Sequence, residues 1–123
     1  TKSPVILITD IERGGSFGSI VGTLSLLEKK YQKMIKGFVF NKFRGDLDIL
    51  KPGFRKLKQN TGKPVFGTIP LTKLLLPEED SITSDSKQLA LNSKNLKKID
   101  SEIAKLSKVV KSSLNIRAIE KLL

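Results

Sequence analysis

Short apolar runs alternate with stretches of helical spacing along the first two thirds of the chain. Runs rich in β-branched and aromatic residues occupy residues 4–10, 37–41 and 64–70, and each is bounded by glycine, proline or a polar residue. Such runs predict strands. The first run shows no alternation of polar and apolar residues, which predicts a strand buried on both faces.

Helical spacing fills the intervals between these runs. Residues 17–30 carry apolar side chains three and four positions apart, with Ser16 as a candidate N-cap. Gly18 and Gly22, four residues apart in this helix, predict a face pressed closely against another element. After a helical turn at residues 47–50 with Asp46 as its N-cap, residues 52–60 predict a second helix that ends at Gly62.

Strand, helix, strand, helix, strand is the order of an α/β fold whose strands run parallel. We therefore predict a partial parallel sheet with flanking helices. Three strands are few for such a sheet, so we expect the C-terminal half of a larger α/β domain.

The remainder of the chain has a different pattern. Residues 71–86 show no period and predict an irregular excursion, whereas residues 92–111 predict an amphipathic helix. Its apolar stripe could form a coiled-coil seam, but three heptads are not sustained, which favours docking against the sheet. Asn115 is a candidate cap for a last short helix. We expect one unit at residues 1–83 and a helical connector or extension at residues 84–123.

Composition removes several kinds of chemistry. The 123 residues contain no cysteine and no histidine, which excludes disulfides, a cysteine nucleophile, a Ser-His-Asp triad and histidine metal ligands. No apolar run approaches the ~20 residues of a membrane span, and no signal-peptide pattern is visible. We expect a cytoplasmic protein without a membrane partner.

The net charge of +11 raises the possibility of nucleic-acid binding. The excess is mostly lysine and is spread along the chain, and the basic and aromatic strand pattern of a base-stacking platform is absent. This pattern favours a lysine-rich solvated surface, and we expect no nucleic-acid partner.

Candidate chemistry lies where the predicted strands end, because open α/β sheets bind ligands there. Asp10 could bind Mg²⁺ or orient a nucleotide, and it could equally be a turn residue. Arg13 offers a fork for phosphate or carboxylate, and Gly14 and Gly15 would let backbone amides approach an anion, although plain loops also contain such residues.

The other strand ends supply weaker candidates. The Asn41 amide could pair with a purine edge while the stem of Lys42 packs along the ring, although Asn is also a common turn residue. Pro70 would place a rigid ring at the same sheet edge or simply end the strand. The acidic residues 78–80 favour a solvated patch over a metal site. The sequence contains no Gly-x-x-x-x-Gly-Lys-Ser/Thr, so it carries no phosphate cradle.

Several blocks in order make the sequence resemble the cobyric acid synthase family over about residues 4–83. The longer blocks are Pro-Val-Ile-Leu-Ile-Thr-Asp-Ile-Glu-Arg-Gly-Gly-Ser-Phe (4–17) and Lys-Gly-Phe-Val-Phe-Asn-Lys-Phe-Arg-Gly-Asp (36–46). The shorter blocks are Val-Gly-Thr-Leu (21–24), Leu-Lys-Pro-Gly (50–53), Thr-Gly-Lys-Pro-Val (61–65) and Pro-Glu-Glu-Asp-Ser (77–81). Glu12 stands where the family commonly has Asp.

The resemblance implies the C-terminal half of a P-loop domain similar to dethiobiotin synthetase. It implies ATP- and Mg²⁺-dependent amidation of peripheral carboxylates of adenosylcobyrinic acid a,c-diamide, a corrinoid, with ammonia from glutamine. The implied nucleotide-binding residues are Asn41, Lys42 and Pro70. The implied loop for phosphate or substrate carboxylates comprises Asp10, Arg13, Gly14, Gly15 and Arg44, with Asp10 as the candidate metal ligand and catalytic residue.

The family's N-terminal P-loop half and its glutaminase domain are not in this sequence. We therefore expect the chain alone to be inactive, and we expect unpaired sheet edges to make it associate, with a homo-oligomer as one outcome. The alternative is a non-catalytic α/β binding or scaffolding module derived from the same family.

Overall fold

The computed structural model describes residues 3–74 and 93–123. The elements in chain order are β1 (Val5–Asp10), α1 (Ser16–Leu26), α2 (Lys29–Gln32), β2 (Ile35–Phe43), a 3-10 turn (Leu47–Leu50), α3 (Lys51–Thr61), β3 (Val65–Pro70), α4 (Ser93–Ser113) and α5 (Ile116–Glu120). The expected irregular segment therefore lies mostly outside the described residues, and so does the acidic patch at residues 78–80.

The three strands form one sheet in the order β1-β2-β3, and both pairings are parallel. Asp10 is in register with Asn41, and Phe43 is in register with Pro70. The predicted parallel α/β sheet is confirmed. All three strands end at the same edge of the sheet, which we call the rim.

The core lies between the sheet and helices α1 and α3. Phe38 and Phe40 on β2 are fully buried, and Ile20, Leu24 and Leu57 from the helices are buried with them. The Phe40 ring lies 4.8 Å from that of Phe17 and 5.0 Å from that of Phe54, between ring centroids. Tilted aromatic pairs at these distances add about 0.5–1.5 kcal/mol beyond their buried area, and they fix both helices over the central strand.

The predicted burial of the first strand on both faces is wrong. Ile8 is 61% exposed and Val5 is 39% exposed. β1 is an edge strand, and no described element covers its second face at Ile8. An apolar run shows that a strand can be buried, but not which neighbours the rest of the fold supplies.

The first helix also differs from its prediction. It ends at Leu26, because Leu27 is extended and packs against the core, and the short α2 follows. Gly15 is the N-cap, and Ser16 is instead the buried first residue of α1. A Cβ placed on Gly18 or Gly22 would meet no atom within 4 Å, so within the described structure these glycines do not mark a close contact.

The second helix and its flanks confirm the sequence interpretation. The Asp46 carboxylate accepts a hydrogen bond from the Asp48 amide at 2.9 Å and caps the 3-10 turn. Pro52 lies in the first turn of α3, where its missing N–H has no intrahelical partner to lose. Gly62 ends α3 with a left-handed φ of 69°. The second strand is longer than predicted and extends to Phe43.

The C-terminal helices contact β3, but the predicted docking of the apolar stripe is confirmed only in part, because Leu96 and Ile103 remain 45% and 51% exposed. Leu114 forms an antiparallel bridge with Gly67, and the Asn115 amide donates to the Phe66 carbonyl at 2.7 Å. The Asn115 side chain also accepts from the Ala118 amide at 3.1 Å, which confirms the predicted cap. The outer edge of β3 is therefore closed by the chain itself. Neither described part of the chain has a helix long and apolar enough to cross a bilayer.

Glycine is required at position 67 for this closure. A Cβ there would overlap the Ser113 carbonyl oxygen and would also lie 2.8 Å from the Leu114 side chain. The absence of a side chain lets the segment after α4 approach the strand closely enough to pair with it.

Candidate functional site

The rim gathers the polar residues that follow the three strands. Asp10 ends β1, Asn41 and Lys42 lie near the end of β2, and Pro70 ends β3. The parallel register places Asp10 beside Asn41, so the residues singled out from two different segments are neighbours. This placement follows from the strand directions alone and agrees with the sequence interpretation.

A bulge near the end of β2 turns Lys42 out of the regular strand. Between the pairs Phe40–Thr68 and Phe43–Pro70, β2 contains one more residue than β3. Lys42 has a φ of 62°, the left-handed region that costs a non-glycine residue about 1–2 kcal/mol. The Asn41 side chain accepts a hydrogen bond from the Lys42 amide at 2.9 Å and supports this conformation.

Asp10 is held by two donors, one on each carboxylate oxygen. Lys42 Nζ donates to Oδ2 at 2.8 Å, and the Glu12 amide donates to Oδ1 at 2.9 Å. The bond from Lys42, followed by that from the Glu12 amide, lowers the pKa of Asp10 below its ordinary value of 3.8, and the charge of Arg13 acts in the same direction. Asp10 is therefore a carboxylate at neutral pH and accepts hydrogen bonds without donating any.

A second ion pair crosses the rim two residues further along both segments. Arg44 Nη2 donates to Glu12 Oε1 at 2.6 Å. The sequence interpretation gave Glu12 no role. The sequence does contain a pattern that could have indicated this ion pair. Asp10 and Glu12 are two residues apart on one segment, and the oppositely charged Lys42 and Arg44 are two residues apart on the next.

The loop between β1 and α1 carries a third cation. Arg13 has no hydrogen bond or ion pair with any residue in the described ranges, although it lies near enough to lower the pKa of Asp10. Gly14 and Gly15 follow with left-handed φ angles of 73° and 69°. The Gly14 amide donates to the Ile11 carbonyl at 3.3 Å and closes the turn in which Arg13 lies.

Pro70 lines a cavity of about 550 Å³ together with Phe43, Leu47, Phe54 and Thr68. Asn41 is not among the residues that line it. Asn41 and Pro70, both implied to bind the nucleotide, thus lie on the same rim, but the structure does not bring them together in one cavity.

Asp10 is the metal-ligand candidate of the rim. Within the described ranges, no three acidic side chains come together as a metal site. Mg²⁺ is usually held by one or two carboxylates together with substrate phosphates and waters, so one aspartate fits a metal that arrives with a nucleotide. Both Asp10 oxygens already accept hydrogen bonds, which favours contact with such a metal through a bound water.

Comparison with protein families matches residues 5–83 to the CobQ/CobB/MinD/ParA nucleotide binding domain. The chain is also similar to proteins described as probable cobyric acid synthases. That of Methanosarcina barkeri is 50% identical over 96 residues, which cover 78% of this chain and 20% of the relative. That of Thermococcus onnurineus is 58% identical over 83 residues, which cover 68% of this chain and 17% of the relative.

The relative from Methanococcus maripaludis shows the same relation, with 50% identity over 105 residues, 85% of this chain and 21% of the relative. The chain spans about a fifth of the length of these curated relatives. No solved structure matches it.

Proposed function

Because the chain belongs to the CobQ/CobB/MinD/ParA nucleotide-binding family, we propose that it is the C-terminal half of the synthetase domain of a cobyric acid synthase. In this proposal the complete enzyme uses ATP to amidate peripheral carboxylates of adenosylcobyrinic acid a,c-diamide in cobalamin biosynthesis. Ammonia comes from glutamine through a glutaminase domain, and the chain alone does not turn over substrate.

One observation carries this proposal: three parallel strands end at a rim where the cations Arg13, Lys42 and Arg44 outnumber the carboxylates of Asp10 and Glu12. Ligands of open parallel sheets bind at the carboxyl ends of the strands. Phosphate groups and substrate carboxylates are anions, and arginine binds both through paired hydrogen bonds. The rim therefore combines the position and the charge that an ATP-dependent enzyme acting on carboxylates needs.

The open edge of β1 supports a missing phosphate-binding half. The sequence has no phosphate cradle of its own, and a P-loop is a strand followed by a glycine-rich turn and a helix. The segment after α4 occupies the edge of β3, whereas no described strand pairs with the outer side of β1. We place the P-loop strand beside β1, so that its phosphate-binding turn adjoins Asp10 and Arg13.

The proposed roles follow from these positions. Asn41, Lys42 and Pro70 contact the nucleotide, with the lysine stem along the base. Asp10, Arg13, Gly14, Gly15 and Arg44 form the loop region for phosphate or substrate carboxylates, and Asp10 would hold Mg²⁺ through water. The metal supplies charge neutralisation at the phosphates. ATP activates the carboxylate, and the residues of this chain contribute by binding and positioning the two reactants at the rim.

Domain division and location are part of the same proposal. We propose that residues 84–123 extend the unit formed by residues 1–83 as a helical connector, and that the protein acts in the cytoplasm. The described part of the connector, α4 and α5, contacts β3.

A non-catalytic binding or scaffolding module is the second candidate. The observation that favours it is the absence of a phosphate cradle from the sequence. Such a module would keep the sheet and the rim and would bind an anionic ligand without chemistry.

A chimera separates the two candidates. The matching segment of the Methanosarcina barkeri relative is replaced by this chain, and amidation of the corrinoid with ATP and glutamine is followed by mass spectrometry. We expect amidated product from the chimera and a loss of it in Asp10→Ala and Asn41→Ala. Asp100→Ala and Asn60→Ala, away from the rim, are the matched controls. An inactive chimera beside an active parent would contradict the enzymatic proposal, and wild-type rates in both rim variants would contradict the site.

A further inference from the structure

The three cations of the rim are not equivalent. Lys42 lies 2.8 Å from an Asp10 oxygen, and Arg44 lies 2.6 Å from a Glu12 oxygen. Arg13, which directly follows Glu12 in the sequence, has no acidic partner among the residues that the structure describes. Two cations are thus engaged with carboxylates, while the third is available to a ligand.

We infer that Arg13 is the cation that contacts the anionic group of the ligand, and that Glu12 and Arg44 are a positioning pair that holds it in place. The inference rests on the proposed function, which requires a phosphate or a carboxylate at the rim. It adds a role for Glu12 and restricts that of Arg44, which acts through Glu12 and does not itself contact the ligand.

Charge balance supports this division. Asp10 and Glu12 would repel an anion if they were unpaired. Lys42 and Arg44 neutralise them, so the charge of Arg13 is left uncompensated at the rim. An incoming phosphate or carboxylate then meets a net attraction centred on that one side chain.

The contacts of Glu12 fix the backbone next to Arg13. The Glu12 amide donates to Asp10 Oδ1, and its carboxylate accepts from Arg44. On the other side, the Gly14 amide closes the turn onto the Ile11 carbonyl. Arg13 is therefore held between two anchored neighbours, and its anchors reach both β1 and β2.

The pair can be removed without endangering the fold. The side chains of Glu12 and Arg44 are 38% and 68% exposed, and exposed ion pairs contribute little to stability. Loss of binding in variants of this pair would therefore report on positioning, and circular dichroism would verify that the variants are folded.

The first test follows the arginine side chains of the chain by NMR. The Nε–Hε signals are recorded during titration with inorganic tripolyphosphate and, separately, with tricarballylate, a polycarboxylate. We expect the Arg13 signal to shift saturably while Arg44, Arg55 and Arg117 stay unchanged. The anion that shifts it at lower concentration identifies phosphate or carboxylate as the preferred group. A shift of Arg44 together with Arg13, or no shift of Arg13 with either anion, would overturn the inference.

The second test is a mutant cycle with the same titration. Arg13→Gln should weaken anion binding about ten- to hundredfold, the effect of losing a charged hydrogen bond. Glu12→Gln and Arg44→Gln should each weaken it about two- to fivefold, and the double variant should be no worse than either single one. Exchange of the charges, Glu12→Arg with Arg44→Glu, should restore binding. Additive losses, or no recovery on exchange, would show that Arg44 contacts the anion itself.

In the chimera, the pair variants should raise KM and leave kcat nearly unchanged, as expected for lost ligand binding. The two proposals fail separately. If the chimera is inactive but Arg13 still shifts with the anion, the enzymatic function is wrong and the inference stands. If amidation is intact but Arg13 does not respond, only the inference is wrong.

Discussion

The two edges of the sheet differ in how the chain treats them. At the β3 edge, the segment after α4 returns and pairs with the strand through Leu114 and Asn115. At the β1 edge, no described strand is paired on the outer side, and Ile8 remains 61% exposed. The described chain pairs with the β3 edge, whereas it leaves the β1 edge unpaired and its apolar side chain exposed.

The difference shows what closing an edge requires of a sequence. The β3 edge has a glycine at the point of contact, a Phe66 carbonyl that accepts from the Asn115 amide, and a helix that ends opposite them. From Val5 to Thr9, β1 carries none of the charges or prolines with which exposed edges are commonly protected, and its single charge, Asp10, lies at the rim. The rim charges belong to β1 and β2, so a strand added at β1 would lie beside them.

The largest effect is expected from a substitution that disrupts the pairing between β3 and the segment after α4. We expect Gly67→Ala to lower the free energy of unfolding by about 2–3 kcal/mol, because its Cβ would overlap the Ser113 carbonyl oxygen. Urea denaturation measures the loss. Gly18→Ala is the control: a Cβ there meets no atom within 4 Å, and alanine favours a helix, so it should stabilise by about 0.5–1 kcal/mol. Equal effects of the two variants would show that the close approach at β3 does not occur.

The open edge is tested by its association. We expect the chain alone to self-associate through β1, and Ile8→Lys to weaken that association about tenfold, since a charge replaces an apolar contact of about 1.5 kcal/mol. Sedimentation velocity over a range of concentrations gives the affinity. Ile49→Lys is the matched control, because Ile49 is 69% exposed but lies on the 3-10 turn. A monomer at all concentrations, or an equal effect of both variants, would contradict the role of β1.

A smaller effect is expected where β1 and β2 meet at the rim. Lys42→Gly should be about 1 kcal/mol more stable than Lys42→Ala, because both lose the ion pair and only glycine removes the cost of the left-handed backbone. The two midpoints in urea give the difference. Identical stabilities would mean that residue 42 is not held in this conformation.

The smallest effect is the pH dependence that Asp10 adds. Its pKa is lower in the folded chain than its ordinary value of 3.8, so the unfolded chain binds the proton more tightly. This contribution is present above pH 3.8 and is lost as the pH falls through the folded pKa. Unfolding measured from pH 6 to pH 2 should show a shallower dependence for Asp10→Asn than for the native chain. Superimposable slopes would exclude a lowered pKa.

Local sequence patterns predicted the parts of the molecule that depend on neighbours along the chain. Apolar runs separated by helices were enough to give the parallel order, and therefore the placement of Asp10 beside Asn41. Gly62 and Asn115 correctly predicted helix boundaries, because a capping residue interacts only with residues within one helical turn.

Features that depend on distant partners escaped prediction. The exposure of Ile8 depends on what pairs with β1, and the need for Gly67 depends on Ser113, far away in sequence. The pair between Glu12 and Arg44 required the register of two strands before its spacing had meaning. The left-handed backbone of Lys42 follows from a bulge in β2, and no residue type in that segment is typical of a bulge.

The backbone of residue 42 has a consequence for how this protein changes over generations. A single base change turns a lysine codon into one for asparagine, and asparagine tolerates the left-handed conformation better than other side chains apart from glycine. A single mutation could thus lower the conformational cost of the left-handed backbone at residue 42. In a selection for folding alone, asparagine should accumulate at residue 42, whereas a selection that requires the charge opposite Asp10 should retain lysine.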